Sequence, residues 1–191
     1  MALRLACIFL ASGHSKRFGG NKLLADYNGK PMADHIFSRF PSELFNQVVA
    51  VTRYANVAVS AAQQGFTIAE NDDTTDDIAK TIRLGLAALA PGADGCMFSV
   101  CDQPALSAES IEKLVRAFSA APERIIALGH NGNRGNPVFF PAALFPELAA
   151  LEPNQSGGAV IKRHKALLDI VEANDPLELC DVDYRADLPN K

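Results

Sequence analysis

Residues 4–22 read Arg-Leu-Ala-Cys-Ile-Phe-Leu-Ala-Ser-Gly-His-Ser-Lys-Arg-Phe-Gly-Gly-Asn-Lys. The apolar run from Leu5 to Leu10 stops at a loop of small residues that carries Gly13, Ser15, Lys16, Arg17, Gly19, Gly20 and Lys22. A short, continuous apolar run bounded by glycine predicts a strand covered on both faces. The loop after it has the chemistry of a phosphate cradle: glycines let backbone N–H groups turn toward an anion, and Arg17 and Lys22 supply charge. The spacing is neither Gly-x-Gly-x-x-Gly nor Gly-x-x-x-x-Gly-Lys-Ser/Thr, which excludes a dinucleotide fingerprint and a P-loop. An ordinary strand-to-helix loop with solvated charges is the plain alternative.

Working outward, further apolar runs at 48–52, 96–100 and 125–128 are short and continuous in the same way. Between them lie helical periods. Ile78, Ile82, Leu86 and Leu89 recur at i, i+4, i+8 and i+11; Ile111, Leu114, Val115 and Phe118 recur at i, i+3, i+4 and i+7, behind Ser107 as an N-cap. This alternation predicts an α/β fold in three layers, a mostly parallel sheet flanked by helices. Ligands of such sheets bind beyond the carboxyl ends of the strands, where both the Gly13 loop and Asp102 fall.

Bulk properties set outer limits. The 191 residues suit one domain over 1–191, and 48% of them are hydrophobic, enough for a substantial core. Lys and Arg number 18 against 22 Asp and Glu, with no basic block, which argues against nucleic acid and acidic membrane surfaces as partners. Cys7, Cys96, Cys101 and Cys180 lack Cys-x-x-Cys spacing and read as reduced thiols of a cytoplasmic protein, with no zinc site. No run approaches the ~20 apolar residues of a membrane span, and no targeting signal stands out.

Asp102 follows the run 96–100 and precedes Pro104, so its carboxylate is expected at a strand end, where a hard oxygen can hold Mg²⁺. An Asp two residues before Pro also opens turns, and alone that reading is the stronger. Asp181 and Asp183, alternating with Val182, fit polar residues on an edge strand. Arg134 beside Gly135-Asn136-Pro137 fits either an anionic acceptor or a turn into a strand. His14, His35, His130 and His164 have no metal spacing.

Read as Leu10-Ala11-Ser12-Gly13-x-Ser15-x-Arg17-Phe18-Gly19-x-x-Lys22, the loop resembles the opening signature of nucleotidyltransferases of the MobA/MocA type. Gly29-Lys30-Pro31-Met32, Asp102-Gln103-Pro104, Gly135-Asn136-Pro137-Val138 and Asp181-Val182-Asp183 continue the resemblance over nearly the whole chain. It implies a Rossmann-like nucleotidyltransferase fold and Mg²⁺-dependent transfer of a nucleotide, from CTP by preference, to the phosphate of molybdopterin. Leu10, Ala11, Ser12, Gly13, Arg17, Lys22 and Thr81 would bind the nucleotide. Arg17, Lys22 and Asp102 would carry catalysis, Asp102 and Asp183 would hold the metal, and a molybdoenzyme would receive the product. The preference for CTP rests on Ser12, whose Cβ narrows the space for a purine and whose hydroxyl can meet a base edge. GTP-dependent transfer, transfer to a sugar or alcohol phosphate, and non-catalytic delivery of the cofactor are the other readings.

Three departures from that family's pattern stand out. Asp77-Ile78-Ala79-Lys80-Thr81 replaces a serine-rich helix start, Ser156 stands where an acidic residue is usual, and Tyr184-Arg185 replaces Thr-Pro.

Overall fold

The strand that begins at Leu5 lies in the middle of the sheet. A computed structural model describes residues 2–189. In chain order the elements are β1 (Leu5–Ala11), a small hairpin of β2 (Asp26–Tyr27) and β3 (Lys30–Pro31), α1 (Met32–Phe37), β4 (Gln47–Thr52), α2 (Ala55–Gln63), β5 (Thr67–Glu70) and α3 (Ile78–Ala87). They continue with β6 (Gly95–Val100), α4 (Ala108–Ala120), β7 (Ile125–His130), β8 (Asn133–Pro141), α5 (Phe145–Ala149), α6 (Gly157–Arg163) and β9 (Leu168–Glu172). The seven-stranded sheet has the order β5-β4-β1-β6-β8-β7-β9. Every pairing is parallel except those of β8, which runs antiparallel to both β6 and β7.

The alternation of β1 explains the layers. Leu5, Cys7, Phe9 and Ala11 pack into a core shared with α1, α2 and α4, whereas Ala6 and Ile8 pack into one shared with α3, α5 and α6. Side chains that alternate across a strand with helices on both faces must all be apolar, which is why the sequence shows an unbroken run. On the first face Phe9 is fully buried, with ring centroids 4.8 Å from Phe40 and 5.1 Å from Phe37. Burial of one such side chain contributes about 1.5–3 kcal/mol. On the other face Gly85 of α3 lets the helix touch the sheet, since a Cβ there would stand 2.6 Å from Ile8 Cγ2.

Asp77 caps α3 by accepting the Ala79 amide, and Ser107 caps α4 by accepting the Ser110 amide, as expected for Ser107 from the sequence. The region around Gly135 is different from a turn. Asn131 and Gly132, both with positive φ, form the two-residue connection from β7, and residues 135–137 lie inside β8. The Asn-Gly pair is the hairpin signal in this stretch, because a tight connection that matches strand twist needs positive φ at both positions. Residues 181–183 likewise do not form an edge strand; they run as an irregular segment against Asp102.

Burial holds the thiols of Cys7, Cys96 and Cys101 well above their ordinary pKa, while Cys180 is exposed. No helix among the described residues is long and apolar enough to cross a membrane.

Candidate active site

The strand order reverses direction between β1 and β6: β4 and β5 lie to one side of β1, and β6 and everything after it to the other. Chains leaving the carboxyl ends of two such strands diverge and leave a crevice. Into this crevice β1 delivers the Gly13 loop and β6 delivers Asp102.

After β1 the chain makes a 3-10 turn, Lys16–Phe18, with Ser15 in the left-handed region ahead of it and Gly19, φ 73°, closing it. Phe18 is buried and anchors the turn, so Arg17 projects outward and its side chain is 64% exposed. A second 3-10 turn, Lys22–Leu24, is capped by Asn21 and anchored by buried Leu23. That anchor aims Lys22 inward. Its Nζ donates to Asp102 Oδ2 at 2.7 Å and to Asp183 Oδ1 at 3.2 Å, and Arg17 pairs with Asp183 Oδ2 at 2.8 Å. The structure thus brings Arg17, Lys22, Asp102 and Asp183 together from both ends of the chain.

Burial pulls the Lys22 pKa down, but the hydrogen bonds and charges of Asp102 and then Asp183 outweigh it, and the ammonium is held above its ordinary value. Burial, and then the charge of Asp102, pushes Asp181 above the usual carboxylate range. Gln103, itself buried, explains how the C-terminal segment reaches the site. Its amide donates to the Leu179 carbonyl at 3.2 Å and to Asp181 Oδ1 at 2.9 Å, while the Val182 amide donates to the Asp102 carbonyl at 2.8 Å. The second residue of Asp102-Gln103-Pro104 is therefore a fastener for Asp183, a role that only the folded chain reveals.

Gly13 has ordinary φ, and nothing lies within 4 Å of where its Cβ would be. Its glycine keeps space open rather than permitting a special backbone conformation. Beside it a small hollow of about 60 Å³ lies among Leu10, Ala11, Lys22 and Asp102. Leu10 also lines a larger cavity of about 190 Å³ floored by Ile82, Phe98 and Phe140, with Arg134, Asn136 and Ser156 around it. Arg134 is exposed, and no hydrogen-bond or ion-pair partner for its guanidinium occurs among the described residues.

Two expected nucleotide contacts are placed differently. The Ser12 side chain is turned away from the crevice: the residue is 3% exposed and its hydroxyl donates to the Val51 carbonyl at 3.0 Å. Thr81, 4% exposed, donates to the Asp77 carbonyl and accepts from the Asn71 amide. Both hydroxyls serve the scaffold in this structure, because a buried polar group must find a partner inside. Conversely, Arg53 and Tyr54 pack against the loop, Arg53 meeting its His14, and neither Arg53 nor Tyr54 was singled out in the sequence. A charged residue directly after an apolar parallel strand, as Arg53 follows β4, is the signal that marks such a position.

Among the described residues no group of three or more His, Cys, Asp or Glu side chains could hold a metal. Asp102 Oδ1, however, is buried and has no hydrogen-bond partner. An orphaned carboxylate oxygen beside a second carboxylate, Asp183, fits a hard dication that takes its remaining oxygens from phosphate and water.

Known proteins share the sequence and the fold. The chain is 25% identical over 187 residues to the purine catabolism protein PucB of Bacillus subtilis, covering 92% of this chain and 90% of that protein. It is 29% identical over 143 residues to the molybdenum cofactor guanylyltransferase of Shewanella sp., covering 72% and 68% respectively. The crystal structure of Rv0371c from Mycobacterium tuberculosis superposes with a TM-score of 0.77 at 25% identity, over 98% of this chain and 96% of that one. Residues 7–167 match the family described as the MobA-like NTP transferase domain, and the chain belongs to that family of nucleotidyltransferases.

Proposed function

We propose that this enzyme transfers a nucleoside monophosphate from a nucleoside triphosphate to a phosphate-bearing acceptor of the molybdopterin type. The observation that carries the reading is the contact between Lys22 Nζ and Asp102 Oδ2, 2.7 Å, at the strand-order reversal beside the open space at Gly13. A pure carrier has no use for a cation and a partly unpaired carboxylate at that point.

An acceptor phosphate with a second pKa near ~6 is largely dianionic at neutral pH, so it attacks without a general base. Its oxygen forms a bond to the α-phosphorus while the bond to the β-phosphate bridging oxygen breaks, and pyrophosphate leaves with the electron pair. Lys22, protonated and half-buried, neutralises charge that grows on the leaving group. Arg17 meets the outer phosphates from the solvent side. Asp183 holds both cations in the structure described and must release them when phosphate arrives. Asp102 and Asp183 would then hold Mg²⁺, which when bound would help neutralise the charge of the phosphates.

The acceptor's place is the cavity that begins at Leu10. Its apolar floor suits a flat heterocycle, and Arg134 at its edge suits an anion. Among nucleotides CTP is favoured, on the ground that Ser12 has a Cβ where a glycine would leave room. With its hydroxyl committed to the Val51 carbonyl, Ser12 would act through the packing of the loop and not by touching the base, and a difference of that size is worth only ~1–3 kcal/mol.

The test is a competition between CTP and GTP at equal concentration with molybdopterin and magnesium, with the product weighed by mass spectrometry. A cytidylylated product is expected; a guanylylated one would overturn the base assignment, and no nucleotidylated product would overturn the acceptor.

A further inference from the structure

We propose that Thr52, Arg53 and Tyr54, at and just after the end of β4, are positioning residues that set the orientation of the phosphate-binding loop, with Arg53 central. The inference rests on the reading of residues 10–22 as a triphosphate site.

Three successive side chains take three successive carbonyls. Thr52 Oγ1 donates to the Ala11 carbonyl at 2.9 Å, Arg53 Nε to the Ser12 carbonyl at 2.7 Å, and the Tyr54 hydroxyl to the Gly13 carbonyl at 2.8 Å. In a trans peptide the C=O of one residue and the N–H of the next point in opposite directions. Fixing the carbonyls of residues 11, 12 and 13 toward β4 therefore turns the amides of Ser12, Gly13 and His14 the other way. A strand alternates its amides between two sides; this side-chain ladder cancels the alternation where the loop needs several donors on one side.

Arg53 does more than bind one carbonyl. Its second nitrogen donates to His14 Nε2 and its third to the Thr75 carbonyl at 3.0 Å. Because arginine is only a donor, His14 Nε2 must accept, and the ring proton sits on Nδ1, 3.5 Å from Asp76 Oδ1. The His14 amide donates to the same Asp76 oxygen at 3.1 Å. A carboxylate thus already occupies one amide of the turned set, as an anion held there would. Arg53 joins the loop after β1 to the segment ahead of α3, so both walls of the crevice are tied to one guanidinium.

The experiment titrates the full chain with inorganic tripolyphosphate and with CTP by calorimetry in magnesium buffer. It compares the unmodified protein with Arg53→Ala, Arg53→Lys and Tyr54→Phe. Loss of hydrogen bonds from a charged donor predicts that Arg53→Ala weakens both ligands by the same factor, about ten- to a hundredfold. Arg53→Lys, which keeps one donor, falls between. Tyr54→Phe removes a single hydroxyl and leaves the fold intact, with an expected loss of about three- to tenfold in both ligands. In turnover, KM for nucleotide rises while KM for acceptor stays. Unchanged affinity in Arg53→Ala and Tyr54→Phe would overturn the proposal, and so would a loss confined to CTP, which would mean contact with the base. Failure of the unmodified protein to bind either ligand would instead overturn the phosphate-site reading on which the proposal stands.

Discussion

The two halves of the crevice are built by opposite means. The half proposed to take phosphate gathers charge: Lys22 and Arg17 face Asp102 and Asp183 within 3.2 Å, and every one of these side chains has a partner. The half proposed to take the acceptor is an apolar hollow with the Arg134 guanidinium standing unpaired at its edge among the described residues. Charge that is already paired must be exchanged when a ligand arrives, whereas an unpaired guanidinium over an apolar floor is ready as it stands. On the proposed reading the first half would select for a ligand that brings both phosphate and metal, since Asp183 must gain a new partner as it gives up Lys22 and Arg17. The second selects by shape and one anionic contact.

The largest effect that distinguishes the halves is expected at Asp102. Asp102→Asn preserves size and the backbone contact with Val182 but replaces a hard anionic ligand with an amide, and magnesium-dependent turnover should vanish while the variant stays folded. Activity with unaltered magnesium dependence would move the metal elsewhere. Next come Lys22→Ala and Arg17→Ala, each removing charge from the triphosphate. Lys22→Ala should lower turnover about a hundredfold or more, and Arg17→Ala by less because its side chain is mostly exposed and screened. Steady-state kinetics on folded variants checks the order.

Arg134→Ala should leave nucleotide KM unchanged and raise acceptor KM about tenfold, the worth of one charge-assisted contact. An effect on nucleotide KM would merge the two halves into one. The smallest effect lies behind both. Asp77 accepts the Asn154 amide at 2.8 Å, which, with the Ala79 amide and Arg83, holds its pKa below the ordinary carboxylate value. A depressed pKa contributes stability above the unfolded value and loses it as pH falls toward the folded one. Asp77→Ala should thus cost about 1 kcal/mol at pH 7, with the gap closing below about pH 4. Urea melts at pH 7 and pH 3 test it.

The contrast between the halves also explains what could be read in the sequence. The gathering of Arg17 and Lys22 beside Gly13 was legible because these residues are contiguous in the chain, on one loop after one strand. Asp102 was legible because a strand end precedes it. The fold followed from the same logic, since strands buried on both faces read as unbroken apolar runs. The antiparallel β8 was hidden by its Gly-Asn-Pro, which reads as a turn although the turn lies at Asn131-Gly132. Burial and partner choice stayed hidden too. Ser12 and Thr81 have the right chemistry for a nucleotide, yet the scaffold uses their hydroxyls. The roles of Gln103 and Arg53 depend on contacts across 78 and 41 residues, and no local pattern carries these.

Nucleotide transfer in the Lys22 and Asp102 crevice has a direct chemical readout. It is tested most directly by measuring pyrophosphate released from CTP with magnesium, with and without molybdopterin, for the unmodified chain and Asp102→Asn. The prediction is release that depends on acceptor, matches the nucleotidylated product one for one, and disappears in Asp102→Asn. Release that ignores the acceptor, or that survives Asp102→Asn unchanged, would contradict it.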